Sequence, residues 1–364
     1  MCSHLQAAQA QAQTKLAKEP PSFQPIKYQK MKIRYLITVC ISIAGLTVLG
    51  QPKSIQFEPT TYYNNFSHKF LPVLKVQPGD TIKSASVDAG GFNKLGSRVA
   101  KSGNPVTGPF FIVGASPGDI LAITLTSVSL NRDYATTVGS YLKRSVPLAV
   151  FKENFDPRAD RVRWKLIPEK GYAKPELEGK NLSDFTVPLH PFLGCVGLAA
   201  PLKSKEPLTY YAGEYGGNMD FRKVTTGATI YIPVFHEGGL LYLGDGHAQQ
   251  GDGEINGDAL ETSMDFAFVA TVIKGQPPIK FPRIEDAEHI VAMAMGKSLE
   301  EASQNATFGL LEWIQSDYGL TAREVSQVIG PLIEYRIPSI ASPDLEIAAM
   351  IKKNYLTGLK RKTK

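Results

Sequence analysis

The sequence predicts a mainly β protein with helices near its C-terminus, and three observations lead to this prediction. Segments rich in Val, Ile, Thr and aromatic residues follow one another before residue 285, with turn signals between them. Proline occurs 25 times in the chain, which argues against long helices over the same stretch. Two capping-box patterns follow, SLEE at 298–301 and TARE at 321–324, and each predicts the start of a helix.

The strand predictions rest on residue type and on the turns that bound them. The segments predicted to form strands are 73–86, 109–131, 162–167, 184–198, 223–243 and 260–274. Turn sequences such as QPGD at 77–80 and SPGD at 116–119 separate them. Residues 120–130 and 228–236 alternate in polarity, so we expect sheets with one face in water.

The first fifty residues predict an export signal. Residues 31–34 are a short basic segment, residues 35–49 are uncharged and mostly apolar, and Gly50-Gln51 offers a cleavage point. The apolar run is shorter than the roughly 20 residues of a spanning helix, so a membrane anchor is the weaker alternative. We therefore expect a mature chain without a membrane span, exported to the periplasm or the exterior. The predicted divisions are an N-terminal extension at 1–30, a signal peptide at 31–50, one domain at 51–355 and a basic tail at 356–364.

The charge of the chain lies mostly in this N-terminal region. The formal net charge is +6, but residues 51–364 carry 34 Lys and Arg against 33 Asp and Glu. A body so close to neutral gives no basic surface for nucleic acid, so we predict no nucleic-acid partner. Cys195 is the only cysteine after residue 50, and its apolar setting predicts a buried structural thiol.

The segment LGDGHAQQGDGE, residues 243–254, is the densest in ligand-type side chains. Its glycines allow close approach of the backbone to a bound group. It lacks the GxGxxG and GxxxxGK(S/T) spacings of phosphate-binding loops. A calcium loop starting at Asp252 fails at its twelfth position, where Ser263 replaces the bidentate glutamate.

Two interpretations of this segment remain open from its residues alone. His247, Asp245, Asp252 and Glu254 offer an imidazole and carboxylates at short range, which is the ligand set of zinc or a similar ion. The alternative is a glycine-rich turn whose polar side chains face water. His236 lies at the end of a predicted strand that runs toward the segment, so we predict that it lines the same site.

Several motifs in one order resemble the acetamidase/formamidase family. They are SVDAGG at 86–91, NPVTGP at 104–109, GASPGDIL at 114–121, HPFLGCVGLAAP at 190–201, GGNMD at 216–220 and LGDGHAQQGDGE at 243–254. The resemblance covers residues 65 to 350. It implies a mainly β, jelly-roll or CUB-like sandwich with an α+β portion, a homodimer, and metal-dependent hydrolysis of small amides.

The resemblance also implies roles for individual residues. We assign His247, Asp245, Asp88 and Asp220 to the metal, which we expect to be zinc, with calcium as the alternative. Glu254 and Asp252 are assigned to acid–base catalysis, because the leaving nitrogen of an amide must be protonated. The residues assigned to substrate binding are Asn218, Gln250, Gly217, Glu261 and His236.

The sequence therefore predicts an exported amidase that releases ammonia from a small amide such as formamide or acetamide. The alternative function is a non-catalytic protein that binds carbohydrate or calcium on the same scaffold, because a fold alone does not specify an activity. His247 favours the enzyme, since calcium sites use oxygen ligands.

Overall fold

The computed structural model describes residues 51–147, 161–177, 181–202 and 205–362. The predicted extension and signal peptide lie outside the described residues. The strands of the described part, in chain order, are β1 (Ser54–Gln56), β2 (Leu74–Val76), β3 (Thr81–Ala85), β4 (Val106–Ile112), β5 (Ile120–Leu130), β6 (Tyr134–Val138), β7 (Arg161–Ile167), β8 (Tyr172–Pro175), β9 (Val187–Pro188), β10 (Phe192–Leu198), β11 (Ala212–Gly213), β12 (Gly216–Asn218), β13 (Thr229–Pro233), β14 (Leu241–His247), β15 (Glu261–Thr262), β16 (Met264–Ile273), β17 (Arg283–Glu285), β18 (His289–Gly296), β19 (Glu334–Arg336) and β20 (Leu345–Lys352). The helices are α1 (Leu299–Tyr318) and α2 (Ala322–Ile329).

These strands form two sheets, neither of which closes into a barrel. In the first sheet the strand order is β1-β3-β16-β5-β13-β17-β18-β20-β19. In the second the order is β11-β12-β10-β14-β15-β6-β7-β8-β9, and β4 pairs with both β14 and β2. Most pairs are antiparallel, while β1 with β3 and β2 with β4 are parallel.

The main core lies between the two sheets, because it takes side chains from both. Phe110 of β4 in the second sheet meets Phe268 of β16 in the first, edge to face, with ring centroids 5.2 Å apart. Both rings are fully buried. Such a contact adds to the burial of two large side chains, so the pair contributes to holding the sheets together.

Helix α1 covers the outer face of the first sheet. Ala302, Ala306, Leu310 and Trp313 are buried at helical spacing, against the outward side chains of β18 and β20. Ser298 caps α1 by accepting a hydrogen bond from the Glu301 backbone, as its capping pattern predicts. Within the described chain, no helix is apolar over enough residues to cross a membrane.

A second capping pattern marks the start of α2. Thr321 and Glu324 make both reciprocal bonds of the capping box there. The predicted class, mainly β with helices near the C-terminus, is therefore confirmed.

The strands around these helices were not predicted. In β18 and β20 every residue except the two at the ends of β20 is buried, because one face meets the other sheet and the opposite face meets α1. Val291 and Met293 face the main core, while Ile290 and Ala292 face the helix. Apolar residues at successive positions remove the alternation that identifies a strand in sequence.

The contact between the sheets predicts the cost of losing one ring. Phe268→Ala should lower the free energy of unfolding by about 3–5 kcal/mol, because it leaves a cavity beside Phe110. Phe308→Ala is the control, since Phe308 lies on α1 and is 47% exposed, and its effect should stay within about 0.5 kcal/mol. Equal losses for the two variants in urea denaturation would contradict this account of the core.

Candidate functional site

The end of strand β14 lies at the centre of the candidate site. The first half of β14 pairs with β4, whereas Gly246 and His247 pair with Thr262 and Glu261 of β15. On its other side β14 pairs with β10, so that Phe192 lies opposite His247. The Phe192 ring meets the His247 ring edge to face, with centroids 4.9 Å apart. The histidine is therefore held between two strands, β10 and β15, and against a buried aromatic ring.

Four side chains converge at this point and all are buried. Asp220, Asp245, His247 and Glu261 are 1–3% exposed. Together with Glu254, which is 7% exposed, they form two groups of ligand atoms that share His247. One group adds Asp220 and Asp245, the other adds Glu254 and Glu261, and the atoms of each group lie within 4.8 Å of one another. The His247 Nε2 atom is 3.2 Å from Glu261 Oε1 and 3.6 Å from Asp245 Oδ1.

Each carboxylate of the cluster has one oxygen held by the protein and one without a hydrogen bond. Asp220 Oδ2 accepts from the Asn218 amide, and Glu261 Oε1 accepts from the Ala259 backbone at 3.0 Å. Asp245 Oδ2 accepts from the Asn104 amide at 2.9 Å. The unpaired atoms are Asp220 Oδ1, Asp245 Oδ1, Glu261 Oε2 and both ring nitrogens of His247. Buried polar atoms normally have partners, so this convergence of unpaired acceptors is the set that a cation would satisfy.

Asn218 and Cys195 belong to a hydrogen-bond network that fixes the side chains of Asp220 and Asp245. Asn218 Oδ1 accepts from Asn104 Nδ2 at 3.1 Å and from the Cys195 thiol at 3.0 Å. The Asn218 nitrogen is thereby directed to Asp220. Burial, and then the charge of Asp245, raises the pKa of the Cys195 thiol well above its usual range. The thiol is therefore a neutral donor, consistent with the structural role predicted for it.

The space in front of the aspartates exists because residue 194 is glycine. A Cβ atom on Gly194 would lie 2.7 Å from Asp220 Oδ1, 2.7 Å from Asp245 Oδ2 and 2.8 Å from His247 Cε1. Real Cβ atoms do not approach so closely, and the three contacts are rigidly buried. Any side chain at Gly194 would therefore collide with Asp220, Asp245 and His247, three of the side chains that carry the unpaired atoms.

The backbone of the site is strained at its acidic residues. Asp220, Asp245 and Glu254 have φ of 42°, 60° and 47°, in the left-handed region that non-glycine residues rarely adopt. Asn104, which donates to Asp245, has a φ of 52°. Each such residue costs on the order of 1–3 kcal/mol, and strain of this kind is concentrated at functional sites.

The electrostatics show an excess of buried acid. Burial raises the pKa of Glu254 to about 7 and that of Glu261 to about 8, although His247 opposes both shifts. Burial, and then Glu254, raises the pKa of Asp220. Burial disfavours protonation of His247, but Glu261 and Asp245 outweigh it and raise its pKa. Without a cation, burial therefore favours the protonated forms of Asp220, Glu254 and Glu261, although the charge of His247 opposes the shifts.

Glu254 is held by a loop from the other sheet. Its Oε2 accepts from the Ser339 hydroxyl at 2.7 Å, and Gly253 exchanges two backbone hydrogen bonds with the same loop, at Ile337 and Ile340. Gln250 donates to the Pro338 carbonyl at 3.0 Å and to the Asp220 carbonyl at 2.8 Å. The loop between β19 and β20 therefore fixes the turn that carries Glu254.

Glu346 is a buried acid that sequence reasoning missed. It is fully buried on β20, on the core side that it shares with Ala348 and Met350, and neither carboxylate oxygen makes a hydrogen bond of ordinary geometry. Burial, and then Glu254, raises its pKa. Its backbone donates to the Ser339 carbonyl at 3.2 Å, which links it to the residue that holds Glu254. The signal in the sequence was a lone glutamate within an apolar run, LEIAAMI at 345–351.

Several residues predicted for the site lie outside the cluster. Asp88 accepts from Arg132 Nη2 at 2.6 Å and from the Phe92 backbone at 2.9 Å, so both of its oxygens are occupied. Asp252 is partly exposed and pairs with Arg222 and Arg336 at 3.1 and 3.5 Å. The structure does not bring either residue into contact with His247.

The other predicted residues divide between the site and its surroundings. His236 Nε2 is 2.7 Å from the Ala200 carbonyl oxygen, and its ring stacks on His68 at 4.6 Å, away from the cluster. Gly217 pairs with Val196 in β10 and lies behind Asn218. Gln250 and Glu261 are both at the site, and the Gln250 Oε1 atom is unpaired.

Comparison with known proteins connects this site to amidases. Residues 204–305 match the sequence profile of the Acetamidase/Formamidase family. A formamidase from Methylophilus methylotrophus is 27% identical over 244 residues, which cover 53% of this chain and 59% of that protein. An acetamidase from Mycolicibacterium smegmatis is 56% identical over 43 residues, or 12% of this chain and 11% of that one. The alignment thus spans a little over half the length of the formamidase.

Solved structures extend the similarity to the fold. One similar structure is that of a recombinant predicted acetamidase/formamidase from Thermoanaerobacter tengcongensis, with a TM-score of 0.71 and 25% sequence identity. The match covers 84% of this chain and 98% of that chain. An acetamidase from Bacillus halodurans shares the fold, with a TM-score of 0.70, 22% identity, and 84% and 99% coverage of the two chains. The family resemblance predicted from the motifs is confirmed.

The close contacts around Gly194 predict a variant with weakened cation binding. Gly194→Ala should lower the affinity for Co²⁺ at least about tenfold, because the methyl group would collide with Asp220, Asp245 and His247 and displace them. Gly251→Ala is the matched control, since a Cβ there meets no atom within 4 Å. Both affinities follow from titration of the chelator-treated protein by visible absorption. Unchanged affinity in Gly194→Ala would contradict this site.

The raised pKa values predict how stability depends on pH. The folded state keeps protons on Glu254 and Glu261 to about pH 7 and 8, whereas the unfolded state loses them near 4.5. Because the folded state binds more protons, the unfolding free energy of the metal-free protein should fall as the pH rises from about 4.5 to 8. Urea denaturation in chelator measures this slope.

Controls for the pH slope replace one ionisable group at a time. Glu254→Gln and Glu261→Gln should each flatten the curve, whereas Glu288→Gln, at a site whose side chain is 79% exposed, should leave it unchanged. Stability that rises across the same pH range, with carboxylate variants like the wild type, would contradict the assignment.

Proposed function

We propose that this protein is an amidase that hydrolyses the carbon–nitrogen bond of a small linear amide and uses a divalent cation to do so. The observation that supports the proposal most is the set of unpaired buried ligand atoms on Asp220, Asp245, His247 and Glu261. Three of these side chains border Gly194, where a larger residue would collide with them. This set occurs in a chain whose similarity to known proteins is to formamidases and acetamidases. The relatives described above do not favour the alternative of a carbohydrate- or calcium-binding protein.

The donor set supports zinc as the cation. It combines one imidazole with carboxylate oxygens, which suits zinc and related transition ions, whereas calcium takes six to eight oxygen ligands. His247, Asp245, Asp220 and Glu261 would hold the ion, since each presents an unpaired atom. A divalent cation here would lower the pKa of a bound water and polarise the amide carbonyl.

Hydrolysis of an amide moves one proton from water to nitrogen. The oxygen of water forms a bond to the carbonyl carbon, the carbon–nitrogen bond breaks, and ammonia leaves when its nitrogen has gained a proton. Glu254 is suited to take and return that proton, because it lies beside His247 at the cluster and, in the metal-free protein, burial raises its pKa to about 7. The Ser339 hydroxyl binds Glu254 Oε2 and fixes the orientation of the carboxyl group.

Gln250 is suited to bind the amide nitrogen of the substrate. Its Nε2 atom lies between two carbonyl oxygens, those of Asp220 and Pro338, which identifies that atom as the donor. The Oε1 atom is therefore an acceptor, it is buried, and it is unpaired. The –NH₂ group of a primary amide is the donor that such an acceptor requires.

The enclosure of the site supports a small substrate. Glu254 and Gln250 are 7% and 5% exposed, and the metal-site residues are more deeply buried still. A substrate of a few heavy atoms, such as formamide or acetamide, needs least rearrangement to enter. Exclusion of water also strengthens the electrostatic interactions of the bound amide.

Export and self-association are further parts of the proposal. The basic segment at 31–34, the apolar segment at 35–49 and the cleavage point near Gly50-Gln51 have the features of a signal peptide, which supports export of the chain. The homodimer rests on the family resemblance. N-terminal sequencing of the exported protein and its mass in solution test the two points separately.

Metal removal tests the proposal most directly. The chelator-treated protein should release no ammonia from formamide, acetamide or propionamide, and zinc should restore release. His247→Ala should bind zinc at least about tenfold more weakly. Elemental analysis of the purified protein identifies the ion. Ammonia release that persists after complete removal of metal would overturn the metal-dependent mechanism. Inactivity of the zinc-loaded protein on every amide would overturn the proposal that the protein is an amidase.

The acid–base role of Glu254 has a separate test. Glu254→Gln should lower kcat by about 10²–10⁴-fold, because the amide side chain cannot transfer the proton. The variant should still hold its metal by elemental analysis, and Glu288→Gln at the surface should match the wild type. Wild-type kcat in Glu254→Gln would exclude this residue as the acid–base group.

A further inference from the structure

We propose that Arg132 is a positioning residue of the site, which holds Glu261 in place against His247 and uses Asp88 as its buried counter-ion. No sequence motif indicated this arginine. The inference deepens the proposed function, on which it rests, because it assigns a residue that arranges a metal ligand without touching the metal.

Arg132 connects the segment between β5 and β6 to strand β15. Its Nη2 atom donates to the Glu261 carbonyl oxygen at 3.3 Å, and its Nε atom donates to the Thr262 hydroxyl at 2.9 Å. The Nε atom also donates to the Tyr134 carbonyl oxygen at 3.0 Å. Both residues of β15 are therefore bound by one guanidinium group.

Strand β15 needs such support because it is only two residues long. Glu261 pairs with His247 on one side and with Thr136 of β6 on the other. Strands are usually about five to six residues long, so β15 has few backbone hydrogen bonds to its neighbours, and side-chain contacts help to hold it in place. The carboxylate whose Oε2 atom is unpaired is attached to the backbone that Arg132 binds.

Asp88 neutralises the buried arginine. The side chains of Arg132 and Asp88 are 2% and 6% exposed, and Arg132 Nη2 lies 2.6 Å from Asp88 Oδ2. The other Asp88 oxygen accepts from the Phe92 backbone. A charge buried without a partner is strongly destabilising, so the buried Arg132 guanidinium requires the Asp88 carboxylate as its partner. Both oxygens are occupied, which favours a counter-ion over a metal ligand.

The chain provides a matched control for Arg132. The Tyr134 ring lies between two guanidinium groups, with Arg132 at 4.2 Å and Arg163 at 4.0 Å from its centre. Arg163 is largely exposed and pairs with Glu176 at 3.1 Å. Arg163→Lys therefore changes the same kind of contact with Tyr134 without affecting β15.

The test is a double-mutant cycle that uses Co²⁺ as the probe. Lysine has a single ammonium group and cannot make the forked contacts of the guanidinium, so Arg132→Lys should weaken Co²⁺ binding about tenfold. In a Glu261→Gln background the same change should have less than about a twofold effect, because the ligand that it positions is gone. Arg163→Lys should bind Co²⁺ like the wild type. An equal loss in both backgrounds would overturn the proposal.

A second measurement needs neither metal nor activity. In the metal-free protein, ¹⁵N signals of the His247 ring report its contact with Glu261, and Arg132→Lys and Glu261→Gln should shift them in the same direction. If Arg132→Lys does not fold, Thr262→Val leaves the guanidinium in place. It removes the hydroxyl contact to Nε, together with the hydrogen bond of that hydroxyl to the Tyr134 carbonyl, and should give a smaller shift of the same sign. His247 signals at wild-type positions would overturn the role of Arg132 while leaving the proposed function intact. If the unmutated, zinc-loaded protein released no ammonia from any amide while Arg132→Lys and Glu261→Gln shifted the His247 signals in the same direction, the proposed function would be overturned and the role of Arg132 would stand.

Discussion

The burial of several carboxylates around one imidazole is the constraint on which the site depends. Taking a charged group out of water costs several kcal/mol unless a partner replaces the lost hydration. Asp220, Asp245 and Glu261 each obtain one hydrogen bond from the protein and leave one oxygen unpaired. The raised pKa values show how the metal-free protein reduces the cost, by holding protons. A cation would replace those protons, so metal affinity and proton affinity compete for the same atoms.

Glycine on the neighbouring strands makes this arrangement sterically possible. Gly194 leaves the space in front of the aspartates, and Gly246 lies against Thr262 and Met264, where a Cβ would be 2.4 Å from a side-chain atom. The strands can thus approach closely while Asp245, between glycines, adopts a φ of 60°. The cost of the strain and of the buried acids is met by the large apolar core between the sheets, to which the phenylalanine pair belongs.

Sequence reasoning succeeded where a local pattern carries the information. The capping boxes identified the starts of both helices. The glycine-rich segment supplied His247 and Asp245, which the structure brings together with other ligand-type side chains. It missed β18 and β20, because strands buried on both faces show no alternation. Arg132 and Glu346 were missed for a related reason. Arg132 is connected to the site through Asp88 and Glu261, and Glu346 through the charge of Glu254, all more than forty residues away in sequence. Neither residue lies in a recognisable motif.

The ligand side chains of the site belong to the second sheet, and Glu346 and Ser339 connect that site to the first sheet. Strand β20 belongs to the first sheet, whereas His247 and Glu261 belong to the second. The Ser339 loop crosses between them, because its hydroxyl binds Glu254 and its carbonyl accepts from the Glu346 backbone. Any displacement of one sheet relative to the other must therefore change the environment of Glu254. A ligand that binds only the folded state increases its stability. A cation bound by the second sheet would therefore also stabilise the hydrogen bond between Ser339 and Glu254, which links that sheet to the first.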